Sequence, residues 1–273
     1  MVVELNQMRA RFALRIGLLL GAACVSACAG SVRPELSPQK PGTDALLILP
    51  GLGYNSAAEH TFRSVAASAS TAGVDVYVAD YLTRAGLYQS RDRLRRFISQ
   101  NNLAKYDRVH VFAFLAGAWT FNVVADTARL PNLSTVVYDR SPLQERAPRI
   151  AADHLSVLAW LRYGTVLFDL ARLPYPPFTD EKVKVGLLIE TKPTSFIRDH
   201  AAAARVYGPL AFGCDTLHQR YLDCMYVGMN HNELYQRFPE VVPDLLMFMR
   251  TGRFTDGANR QPPGDDVLAR RRH

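Results

Sequence analysis

The chain has 273 residues, 48% of them hydrophobic and 21% charged, a globular composition rather than a disordered or fibrous one. Its formal charge is +7; residues 1–28 hold three arginines and one glutamate, so their removal lowers it to +5. No basic helix or aromatic-basic stripe makes a nucleic-acid footprint, and only one apolar run, at the N-terminus, is long enough to weigh as a membrane segment. A multi-span membrane protein is excluded.

The first element in chain order is an export signal. From Met8, an alternative start to Met1, the chain reads MRARFALRIGLLLGAACVSACAG. Arginines precede an apolar stretch over 16–25, and small residues follow, which is the order of a secretory signal. Ten apolar residues make only about 15 Å of helix, half of a hydrocarbon core. Val25-Ser26-Ala27-Cys28 then resembles a bacterial lipobox. That resemblance implies cleavage before Cys28 and its acylation, with palmitate among the acyl groups. It implies a lipid-anchored protein of the bacterial cell envelope. Ala29, where an inner-membrane retention signal carries Asp, favours the outer membrane facing the periplasm. Residues 29–43, with three prolines and two serines, read as a tether.

The folded domain is expected over 44–254. Residues 45–49 form a buried strand, and Pro50-Gly51-Leu52-Gly53 a turn. Ser56-Ala57-Ala58-Glu59 reads as a capping box opening a helix to about residue 71. Strands follow at 74–79, 108–113 and 133–138, and helices at 90–100 and 117–129. An insertion of helical character spans about 142–182, with Leu158, Trp160, Leu161, Val166, Leu167, Phe168 and Leu170 in its middle. Core packing and an apolar ligand explain that apolar weight equally well. Strands at 183–189 and 222–227 and a helix at 239–251 close the domain, before a Pro/Gly-rich basic tail over 255–273. Apolar strands alternating with helices predict an α/β domain: a mostly parallel sheet with helices on both faces.

Export bears on Cys214 and Cys224, ten residues apart. In an oxidising compartment pairing is the default, worth roughly 3 kcal/mol in the chain-entropy model. A Cys2His2 cluster with His218 and His231 fits no common zinc spacing closely, so no metal is expected. The 50–53 turn lacks the Lys-Ser/Thr of a P-loop and is too short for a dinucleotide motif, so no cofactor is expected either.

Three segments together resemble the α/β-hydrolase family over roughly 44–254. The 50–53 turn resembles the glycine turn that contributes an oxyanion-hole amide, with Gly51, Leu52 and Gly53 giving close backbone approach and Ala116 the second amide. Residues 109–118, VHVFAFLAGA, resemble a nucleophile elbow, and Gly228-Met229-Asn230-His231 stands where the family places its histidine. The resemblance implies His231 as base, Asp139 or Glu190 as acid, and the 142–182 insertion as a lid; Asp199 is a weaker alternative acid. At the nucleophile position, however, stands Leu115, which has nothing to deprotonate. With leucine the strain of the elbow has no chemical use, so a relaxed turn or an inward-packed side chain is expected. Ser141 is a candidate displaced nucleophile, though Ser-Pro after a strand is ordinary turn chemistry. Two expectations follow. One is a catalytically degenerate member that binds an apolar ligand or an envelope protein partner. The other is an ester or acyl hydrolase using His231 with another nucleophile or an activated water.

Overall fold

A computed structural model describes residues 43–125, 130–139, 146–207, 212–217 and 219–263. The signal segment, the lipobox, most of the tether, Ser141, His218 and the terminal arginines lie outside them.

Six strands form one sheet: β1 (Asp44–Leu49), β2 (Val74–Val78), β3 (Arg108–Ala113), β4 (Leu133–Asp139), β5 (Lys184–Glu190) and β6 (Asp223–Val227). Their order is β2-β1-β3-β4-β5-β6, and every pairing is parallel. The continuous apolar strands follow from that arrangement, because a parallel sheet is covered on both faces. Alternate side chains of β1 enter two separate cores. Leu47 and Leu49 join Leu94, Phe97 and Phe121 on one face, while Leu46 and Ile48 join Phe62, Val65 and Phe248 on the other.

The first core is closed by helices α2 (Leu87–Gln100) and α3 (Leu115–Ala125), the second by α1 (Ser56–Ser70) and, late in the chain, α10 (Val242–Thr251). Helix α1 is capped by Asn55, whose side chain accepts from the amides of Ala57 and Ala58. The capping box expected at 56–59 is thus displaced: Asn55 takes the cap, and Glu59 pairs with Arg63 one turn on. Helix α3 starts two residues earlier than expected, directly off β3.

The insertion holds three short helices, α4 (Ala147–His154), α5 (Ser156–Tyr163) and α6 (Thr165–Arg172). Its apolar residues divide between two environments. Val166, Leu167 and Leu170 are buried, whereas Val157, Leu158, Trp160 and Leu161 are exposed. The insertion is fastened to the loop after β2: the amide of Thr165 donates to the Arg84 carbonyl at 2.8 Å, and Asp169 accepts the Leu87 amide at 2.8 Å. Small helices α7 (Ser195–Asp199), α8 (Ala201–Val206) and α9 (His231–Gln236) complete the elements.

Cys214 and Cys224 are joined by a disulfide, which commits both sulfurs and excludes the Cys2His2 alternative. The domain also runs past the boundary expected at 254. The amide of Tyr226 in β6 donates to the Asn259 carbonyl, and Arg260 pairs with Asp223 at 2.8 Å. Residues to 260 therefore finish the edge of the sheet. Among the described residues no helix is long and apolar enough to cross a membrane.

Candidate active site

In an open parallel sheet, loops at the carboxyl ends of the strands converge at one edge, where such folds bind ligands. Here those loops bring together the 50–53 turn after β1, Leu115 after β3, Asp139 and Glu190 ending β4 and β5, and His231 after β6. Asn230 starts α9 with a complete capping box: its side chain accepts from the Glu233 amide, while Glu233 accepts from its backbone. That box fixes His231 as the first residue of the helix.

The imidazole Nδ1 of His231 lies 3.3 Å from Glu190 Oε1 and 3.3 Å from Asp139 Oδ2. Both carboxylates are fully buried. The sequence left one acid to be chosen from two; the structure brings both to the same nitrogen. Register explains how. Asp139 pairs with Leu188, so Glu190 lies two residues further along the adjacent strand, and its longer side chain reaches back to the shared histidine. Asp199 ends α7 at an exposed position outside this group.

Burial alone would push the His231 imidazole down. The charge of Glu190, hydrogen bonding of the ring N–H to the carboxylates and the charge of Asp139 outweigh it and hold the ring up to about 10. At neutral pH the histidine is therefore an imidazolium balancing two buried carboxylates. These three side chains could also hold a metal ion, since their ligand atoms lie within 4.8 Å of one another.

Two tyrosines fasten the 50–53 turn. The Tyr81 hydroxyl donates to the Pro50 carbonyl at 2.5 Å, and the Gly51 amide donates to the Tyr235 hydroxyl at 2.7 Å. The Gly51 amide is thus already occupied by protein, which leaves the amides of Leu52 and Gly53 as the turn's remaining oxyanion donors. Tyr235 is stacked on Phe114 at 4.3 Å, and His231 meets both rings edge-on. Neither tyrosine was legible as a site residue, although Tyr235 follows His231 at the i+4 spacing that puts two side chains on one helical face.

Leu115 is the decisive departure. Asn102 and Arg146 are the non-glycine residues with positive φ among those described, so Leu115 lacks the left-handed strain of an elbow nucleophile. It is buried against Leu87, Trp119, Val166 and Leu170, the last two from the insertion. The turn is both relaxed and plugged. The small flank nevertheless has a purpose. A Cβ on Gly117 would stand 2.5 Å from the Leu49 carbonyl oxygen, so only glycine lets α3 begin this close to β1. Among the described residues, no hydroxyl or thiol hydrogen-bonds His231.

Beside Leu115 lies a cleft of about 290 Å³ between α3 and the insertion, with Trp119, Arg146, Leu170 and Tyr175 in its walls. The other structurally described histidine of note, His110, is a core residue bonded to Thr135, and burial pushes it down to about 4.

No protein-family model matches the sequence, and no curated protein sequence matches it. Solved structures do. An esterase from Pyrococcus furiosus is 15% identical, with 78% of this chain and 84% of that one aligned at a TM-score of 0.50. A lipase from Bacillus licheniformis is 13% identical over 79% and 97%, at 0.51. The type II thioesterase of the borrelidin biosynthetic cluster is 15% identical over 82% and 97%, at 0.51. At these identities the likeness establishes the architecture: the chain has the α/β-hydrolase fold, with the helix-covered sheet expected to be mostly parallel and parallel at every described pairing.

Proposed function

We propose that this protein is a lipid-anchored, hydrolase-fold component of the bacterial cell envelope that binds a small acyl-bearing ligand without forming an acyl-enzyme. The observation that carries this reading is Leu115: unstrained, buried and covered by the insertion where the fold otherwise presents a nucleophile. Anchoring through Cys28 rests on the lipobox-like end of the signal segment. An acyl or ester ligand is consistent with the named activities of the similar structures, an esterase, a lipase and a thioesterase.

A second reading is ester hydrolysis by another nucleophile or by water activated at His231. The retained histidine–carboxylate group favours it, and so do the names of the similar structures, which speak for hydrolysis more than for binding alone. Against it stands the protonation of His231: an imidazolium held up to about 10 is a poor general base at neutral pH. A serine-reactive alkyl phosphonate separates binding from hydrolysis by a protein nucleophile, and ester turnover in wild type beside His231→Ala separates it from hydrolysis by activated water. Binding without an acyl-enzyme predicts no covalent adduct by intact mass; a stoichiometric adduct mapping to a hydroxyl beside the site would establish the second reading.

A further inference from the structure

The cleft beside Leu115 has a charge that the hydrolase comparison does not explain. Arg146 lines it, and its Nη1 is buried with no hydrogen-bond partner. Arg146 also has φ +57, in the left-handed region that costs a side-chain-bearing residue about 1–2 kcal/mol. A strained backbone and a buried, unanswered guanidinium nitrogen each destabilise the free protein, and both sit on one residue at one cavity. A second arginine, Arg149, lines the same cleft and rests 5.4 Å over the Tyr207 ring. The carboxylate of Asp153 is engaged by the Tyr207 hydroxyl at 2.8 Å rather than by either arginine. The remaining walls are mainly apolar, chiefly Leu115, Trp119 and Leu170, with the phenols of Tyr175 and Tyr207 among them.

We infer that this cleft is a binding site for a small amphiphilic carboxylic acid, its carboxylate on Arg146 and its apolar body against Leu115, Trp119 and Leu170. The inference rests on the non-hydrolytic reading above and gives it a ligand class. A guanidinium suits a carboxylate because its donors form a fixed planar fork. The volume of about 290 Å³ lies at the small end of ligand cavities, ~300–1,000 Å³, so the body is a few carbons or one ring rather than a long chain. Leucine at position 115 supplies apolar wall where a serine would present a hydroxyl.

The test is calorimetric titration of the full chain with hexanoate and with 1-hexanol, which share a tail and differ in head. Hexanoate should bind at least about tenfold more tightly, since a hydrogen bond to a charged group separates them. Arg146→Gln should remove most of that ratio while leaving hexanol affinity unchanged. Leu170→Trp, which fills the cleft without touching the charge, should abolish binding of both and serves if Arg146→Gln does not fold. Equal affinity for the two probes, or a ratio unchanged in folded Arg146→Gln, overturns the inference. Such a failure is separable from failure of the underlying reading, which would appear as His231-dependent hydrolysis of hexanoate esters and would not move the affinity ratio.

Discussion

His231 sits between two buried carboxylates that set its charge, and its charge in turn sets part of the stability of the fold. Because its folded value lies near 10 and its ordinary value is 6.5, the contribution is fully present below about pH 6.5. It is lost as pH rises through 10. Thermal melting from pH 6 to pH 10.5 should therefore show the wild type losing on the order of 2–4 kcal/mol that His231→Gln does not lose. Parallel curves for the two proteins would mean that the acids are neutralised some other way. Leu115 makes a different prediction. Leu115→Ser restores the hydroxyl but neither the strained turn nor an open site, so it should not react with an alkyl phosphonate. It should instead lower stability by about 2–5 kcal/mol, as loss of a packed leucine does. Leu115 could be read from the chain because an absent hydroxyl is a fact of composition. The choice between Asp139 and Glu190 could not, because they end different strands and only the pairing of β4 with β5 brings them together.

At the scale of elements, the junctions matter more than the elements themselves. Gly117 lets α3 leave β3 while lying against β1, and a methyl there would meet the Leu49 carbonyl oxygen at 2.5 Å. Gly117→Ala should cost about 1–3 kcal/mol in chemical denaturation, the usual penalty of overpacking; a neutral result would mean that α3 shifts freely. The strands were legible as uninterrupted apolar runs, a pattern that a sheet buried on both faces imposes on every strand. Helix starts were less so. Asn55 and Ser56 are both good caps, and which one wins depends on where β1 delivers the chain. The insertion was legible in place but not in effect. Its composition could not reveal that Val166 and Leu170 close over Leu115 while Trp160 stays exposed, since that division is set by the contacts with α3 and the loop after β2.

For the whole molecule, the fold and its departures give a consistent picture. The sheet, the crossing order and the convergence of loops at one edge are those of the α/β-hydrolase fold. The histidine and its acids persist, while the nucleophile position and the Gly51 amide are filled by Leu115 and Tyr235. The N-terminal segment adds where the protein should reside. If Cys28 carries acyl chains, Cys28→Ala should move the protein from the membrane to the soluble fraction and abolish incorporation of labelled palmitate. Several chains hold a protein far more firmly than one. Unchanged fractionation of Cys28→Ala would contradict the anchor without bearing on the site.

In the reading proposed above, the retained histidine and acids no longer drive hydrolysis. The most direct measurement is ester hydrolysis by the full chain, with short and medium acyl chains, for wild type beside His231→Ala. Oxyanion and binding groups alone can leave a residual rate of ~10³–10⁴ over water, so the comparison between the two proteins decides, not the presence of turnover. If His231 serves no general-base role, the two rates should agree within about twofold. A loss of about 100-fold or more in His231→Ala, with the fold intact, would contradict it and identify an active hydrolase.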